Sequence, residues 1–308
     1  MSNIARNIAS SRAPQNRWTG TASGQLRTRK DSASLRLLSS RPTRVSARQL
    51  DALAAELTDY DQAVLLFLAE VRLATGRQIA RRLWSSKTPT DSGAWAARRA
   101  IWRLEGWRIV DRLPRRVGGV RGGSASLVYA VGPVGRRLLT NQGSGFRRLG
   151  TPGDRHVAHT LAITELVVRL HEADLGGQLD LVELQTEPAC WREFLGGLLA
   201  TRMVLKPDLF ARIGAGAFED RYFIELDLGT EHVATLIGKG KRYIEYWRSG
   251  EEQSRHDVFP RVVWMVPDRR RAEDVAEALE HLPTGAARLF VIWPYDEVIG
   301  RLAAEAAS

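Results

Sequence analysis

The chain has a single cysteine, Cys190, in 308 residues. That excludes an internal disulfide and a cysteine-rich zinc site. Long apolar runs are also missing. The longest, Ala63–Ala69, is far too short to span a bilayer. No signal peptide is visible, so the cytoplasm is the expected compartment, with no membrane partner. A phosphate-binding loop is absent: the Gly-Lys at 238–239 is followed by Gly240 and lacks its upstream glycine. The chain therefore shows no sign of an ATPase, and unwinding DNA would require a recruited motor. A relaxase of the paired-histidine kind needs His-x-His on a strand with a nucleophilic Tyr, and that spacing does not occur. Lysine is scarce as well. Five of the 45 basic residues are Lys, and three of those five (Lys206, Lys239, Lys241) fall between 206 and 247. Lys is a compact charge that can lose its proton, which Arg cannot.

What is present is charge, unevenly placed. The formal net charge is +10. Residues 58–150 hold 17 basic and 6 acidic side chains, whereas residues 151–308 hold 18 and 26. A basic half joined to an acidic half suggests DNA binding in the first and a carboxylate site in the second. Hydrophobic content of 44% is that of a globular protein with room for two domains.

Residues 1–50 are rich in Arg, Ser, Thr and Gly and lack sustained apolar periodicity, which predicts a disordered basic arm. Such an arm either lies along phosphates or has no function of its own. From Leu57 the pattern changes. Leu57, Asp61, Val64, Leu65, Leu68 and Val71 mark an amphipathic helix starting at Thr58 or Asp59. A second helix is expected over Gly76–Trp84 and a third over Ser92–Glu105. Strands Trp107–Leu113 and Ser126–Val131, joined by PRRVGGVRGGSA, complete a winged helix-turn-helix over 51–145. The third helix would offer Arg98, Arg99 and Arg103 to the major groove. The wing would offer Arg115, Arg116 and Arg121. The expected partner is double-stranded DNA, and a winged helix used for protein contacts is the alternative.

The acidic half, 152–308, reads as an α/β domain (α+β for the whole chain) with a mixed central sheet flanked by helices. The expected order is helix Arg155–Ala173, strand Leu179–Thr186, two strands over 209–228, and a helix from Glu231 to about Arg248. Strand Arg261–Val266, helix Asp268–Leu282 and strand Arg288–Trp293 follow. Glu225 and Asp227 leave one face of a strand, and such an acidic pair needs water, a cation or a metal. Asp208 opens the preceding strand, and Lys239 and Lys241 sit on the following helix. Carboxylates from two strands and an amine from a helix can form a metal-dependent phosphodiesterase site. Glu165, Glu183 and Glu187 are weaker candidates to join them. His156 and His159 read as packed or capping residues.

This arrangement resembles the PD-(D/E)XK nuclease superfamily, in which an Asp after Pro, a later Glu and a Lys two residues on cluster round magnesium. Asp208 matches the Asp and Glu225 the Glu, while Asp227 stands where the Lys is expected. Some members supply the Lys from the next helix, which would make Lys239 or Lys241 the substitute. The longer signature, ELDLGT (225–230) with a K-x-x-x-Y step from Lys239 to Tyr243, is similar to the actinobacterial replication-relaxation family of plasmids and other mobile elements. The resemblance implies magnesium or manganese held by Asp208, Glu225 and Asp227, a transition state neutralised by Lys239, and nicking of a recognised DNA. The alternative it leaves open is a non-catalytic DNA-binding regulator. Its nuclease-like domain would then mediate homodimerisation or contacts with other replication or relaxosome proteins.

Overall fold

A computed structural model describes residues 45–84, 90–117, 126–141, 154–197, 201–283 and 287–306. The protein mixes helix and sheet, as expected for an α/β class. Its described residues divide into two compact units, 45–168 and 169–306. Among the described residues, no helix is long and apolar enough to cross a membrane.

The first unit begins with α1 (Ala47–Glu56) and α2 (Asp59–Val71). Both start in capping boxes, Ser46 with Gln49 and Thr58 with Asp61, which satisfy N–H groups left open at a helix start. Most of the expected arm lies outside the described residues. From Val45, which is buried, the chain is already folded. A two-residue strand β1 (Ala74–Thr75) leads into α3 (Gly76–Trp84), then α4 (Thr90–Gly106). Strands β2 (Val110–Val117) and β3 (Ser126–Val131) form an antiparallel pair, and β1 adds to the free edge of β3. Helix α5 (Pro133–Asn141) follows.

Helix α6 (Asp154–Leu175) was expected to open the acidic domain, yet the division between the units falls inside it. Its first half completes the first unit. Val157 and Leu161 pack in one cluster with Leu73 and Val128. Thr164 Oγ1 donates to the Leu73 carbonyl at 2.7 Å, and Gln78 Nε2 donates to the Leu161 carbonyl at 3.0 Å. Glu165 accepts from Gln78 and pairs with Arg81, both on α3.

The second unit is built on a five-stranded sheet. It comprises β4 (Asp180–Thr186), β7 (Leu209–Ala215), β8 (Phe218–Leu226), β9 (Arg261–Val266) and β10 (Phe290–Pro294), in the order β10-β9-β8-β7-β4. The β4-β7-β8 portion is antiparallel, and β8-β9-β10 is parallel. The parallel strands are joined by helices, as their geometry requires. Helix α7 (Val233–Ser249) and the short α8 (Glu251–His256) link β8 to β9, and α9 (Arg269–Glu280) links β9 to β10. A hairpin of β5 (Arg192–Gly196) and β6 (Thr201–Leu205) and a last helix α10 (Val298–Ala306) were not anticipated.

Successive residues of β8 point to opposite faces. Tyr222 reaches Glu305 on α10, while Phe223 and Glu225 face α7. The core therefore lies between the sheet and α7 and α9, with Phe223, Tyr243, Tyr246, Val262 and Trp264 at its centre. Each such side chain contributes about 1.5–3 kcal/mol by burial. Gly240 sets the spacing of the two helices: a Cβ there would lie 2.7 Å from Leu282 Cδ1. Within the Gly-Lys-Gly-Lys run, Gly240 is thus a packing position.

Candidate functional site

Asp208 and Glu225 meet because of register. Leu209 pairs with Ile224 across the antiparallel β7–β8 ladder, so the next position outward sets Asp208 opposite Glu225 on the same face. Asp208 Oδ2 accepts from the Leu226 amide at 2.8 Å. Glu225 is 2% exposed. Its Oε2 accepts from Lys239 Nζ at 2.9 Å, and its Oε1 from the Tyr243 hydroxyl at 2.6 Å. Lys239 and Tyr243 lie four residues apart on α7 and so share a face. Lys239 also donates to Glu231 Oε1 at 3.0 Å.

Burial has the largest influence on Glu225 and pushes its carboxyl up to about 7. Lys239 opposes that rise, and the charge of Asp208 adds to it. Burial alone would lower Lys239, but Glu225, Asp208 and Glu231 together hold its ammonium above the ordinary range. Burial, then Glu225, raise Tyr243 well above its usual value, so it remains a donor. Lys239 is therefore a fixed cation across ordinary pH. Glu225 is the member of this group that exchanges a proton near neutrality.

Asp227 takes a different partner. It is 1% exposed; its Oδ2 accepts from Arg271 Nε on α9 at 2.5 Å and its Oδ1 from the Gly229 amide at 2.9 Å. Arg271 also donates to the Glu231 carbonyl at 2.7 Å. Its place on α9 is set by Asp268, which caps that helix by accepting from the Arg271 amide. Lys241 is exposed on α7, with no hydrogen bond or ion pair among the described residues. Glu183 pairs with Arg212 at 3.2 Å, on β4 and β7.

Of the five residues expected at a catalytic site, Asp208, Glu225 and Lys239 come together, Asp227 turns to Arg271, and Lys241 stands apart. Magnesium and manganese want several oxygen ligands in near-octahedral array. Here both Glu225 oxygens and both Asp227 oxygens already accept hydrogen bonds. Among the described residues, no three His, Cys, Asp or Glu side chains gather closely enough to hold a metal ion. As arranged, the described residues form no ready-made divalent site, and a cation would have to displace these protein donors.

The second group is on α4. Ala97, Ala100, Ile101 and Leu104 are buried on one side of this helix. Trp95, Arg98, Arg99 and Trp102, at i, i+3, i+4 and i+7, form the opposite stripe, and all four are exposed. Trp95 is 56% exposed and Trp102 79%. The Arg99 guanidinium lies 4.2 Å from the Trp95 ring centroid. Arg103, with its side chain 40% exposed, turns instead to a buried carboxylate. Its Nη2 contacts both oxygens of the buried Asp61, at 2.6 and 2.7 Å, and its guanidinium lies over Trp107. The side chains of Arg115 and Arg116 lie outside the described part of β2, and Arg121 lies outside the described residues.

The five residues expected at a catalytic site and the stripe on α4 fall within residues 65–262, which match the family model described as replication-relaxation. The chain belongs to the replication-relaxation family. No curated protein matches it, and no solved structure does. In this replication-relaxation protein, three members of the charge network were not anticipated from sequence: Tyr243 as a donor, Glu231 and Arg271. For Tyr243 the signal was present, because a Lys and a Tyr four apart on a helix reach the same point. Arg271 follows Arg269 and Arg270 in a charged run, and only the cap at Asp268 fixes which of the three turns inward.

Proposed function

We propose that this replication-relaxation protein binds double-stranded DNA in the replication or relaxation of a plasmid or other mobile element, in the cytoplasm. Its first unit acts as a winged helix-turn-helix over 51–145, with α4 as the reading helix and β2–β3 as the wing. The observation that carries this reading is the exposed pair Arg98 and Arg99, opposite the buried face of α4 in a stretch dense in arginine. Guanidiniums so placed can reach base edges or phosphates, and neutralising phosphates releases counterions. The second unit acts as a PD-(D/E)XK-like module that has exchanged metal chemistry for a charge network. Its role is contact with a second copy or with other replication proteins. The protein donors on all four oxygens of Glu225 and Asp227 support that assignment.

The test is anisotropy of a labelled duplex against the full chain across a salt series. Affinity should fall steeply with salt, and R98A/R99A should reduce the logarithmic slope by about two. Salt-independent or absent binding would sink the reading. The convergence of Asp208, Glu225 and Lys239 favours a second reading, metal-dependent nicking. Supercoiled plasmid nicked by the full chain with magnesium or manganese, and left intact by Asp208→Asn, would establish it.

A further inference from the structure

Readout of a duplex by arginine does not account for two exposed tryptophans on α4, although Trp95 carries the Arg99 guanidinium 4.2 Å from its ring centroid. Trp102 is 79% exposed, and large exposed aromatics gathered in one place mark a binding surface. The helix has no need of them for packing, since Ala97, Ala100, Ile101 and Leu104 fill the opposite face. Nor is the stripe an apolar patch. Two guanidiniums separate the indoles, and among the described residues neither takes a carboxylate partner. The one described acidic side chain of α4 is Glu105, which lies 3.5 Å from Arg112. Indole faces flanking cationic groups match a ligand with flat π-surfaces strung on an anionic backbone.

The geometry points to unpaired or unstacked DNA as that ligand: Trp95 and Trp102 are stacking platforms for exposed bases, and Arg98 and Arg99 hold the adjoining phosphates. The proposal rests on the DNA-binding reading above and names the form of DNA that the stripe prefers. Spacing supports it. Seven residues of helix advance about 10 Å, close to three nucleotide steps of about 3.4 Å, so the two indoles bracket a short opened stretch. Stacking serves any base, because every base has a π-face. A second copy of this surface is a poorer occupant. Residues 58–150 carry 17 basic against 6 acidic side chains, so two such faces would repel.

The experiment compares the full-length chain and three full-length variants on one labelled oligonucleotide in three forms: duplex, the same duplex with a three-nucleotide mismatch bubble, and single strand. The unaltered chain should bind the bubble more tightly than the duplex. Trp102→Ala should weaken bubble binding roughly fivefold to a hundredfold and duplex binding much less, while Trp102→Phe should restore most of the preference. R98A/R99A should weaken all three forms. Loss of all duplex and bubble binding by the unaltered chain would remove the underlying reading. Sound duplex binding with no bubble preference, or equal losses on both forms in Trp102→Ala, would overturn this inference alone. Sedimentation of the same variants covers the other occupant. A dimer dissociated by Trp102→Ala, with DNA binding unchanged, would make the stripe a self-association surface and overturn the proposal.

Discussion

Helices α4 and α7 use the same local device for opposite ends. Each sets cations and aromatic rings three or four residues apart, Trp95 with Arg99 and Arg98 with Trp102 on α4, Lys239 with Tyr243 on α7. On α4 the stripe faces solvent, because small and aliphatic residues occupy the inner side. On α7 the pair faces inward, because the sheet beneath presents Glu225. Spacing along a helix therefore brings such groups together, while the surface below decides whether they face solvent or hold the fold. A charge turned outward remains available to a ligand. One turned inward costs several kcal/mol in lost hydration unless it is matched, and here each is matched.

Four measurements test that contrast, from the loss of inward cations to the loss of outward ones. Lys239→Met should destabilise the protein by about 3 kcal/mol in chemical denaturation, since Glu225 would stay buried without its cation. An unchanged midpoint would show that the pair is dispensable. Arg103→Ala should cost about 2 kcal/mol, because it strips the buried Asp61 of its cation, and should leave DNA affinity nearly intact. A DNA defect equal to that of R98A/R99A would place Arg103 with the outward group.

The third effect is one of pH. Folding raises the Glu225 carboxyl from its ordinary 4.5 to about 7, so the folded protein holds that proton more tightly than the unfolded chain does. The stabilisation from this group is full below 4.5 and is lost as pH rises through 7. Relative to Glu225→Gln, the unaltered chain should lose about 3 kcal/mol between pH 4 and pH 8. A flat difference would mean that Lys239 keeps Glu225 ionised throughout. The smallest effect is expected for R98A/R99A, which should change stability by less than about 0.5 kcal/mol. A larger shift would mean that these arginines are part of the fold.

Helices and strands with strong local patterns were legible in the sequence. Helix α3 and strand β9 lie where periodicity places them, and α2 starts at the Thr58 cap. The β5–β6 hairpin was not legible, because its anchor is tertiary: Phe194 packs on Tyr246 of α7, at 5.0 Å between ring centroids. Helix α1 is hard to read from sequence because its polar composition resembles the arm before it, and the Ser46–Gln49 box is its one sharp signal. At the carboxylate group, the meeting of Asp208, Glu225 and Lys239 follows from strand register and helix phase. The diversion of Asp227 does not. It depends on Arg271, 44 residues away, and alternation along a strand cannot say which of two facing helices will supply a cation.

Helix α6 bears on how a gene of this kind can be rearranged. The Gly-rich stretch before it looks like the natural seam for recombination between the first unit and its neighbour. Yet Val157, Leu161 and Thr164 cover Leu73 and Val128 of the first unit. A crossover at that seam would pair those residues with a foreign helix and leave apolar surface unmatched. Exchange that preserves the first unit must carry the coding sequence through Val168, and hybrid genes in this family should therefore have their joints within or beyond the α6 codons.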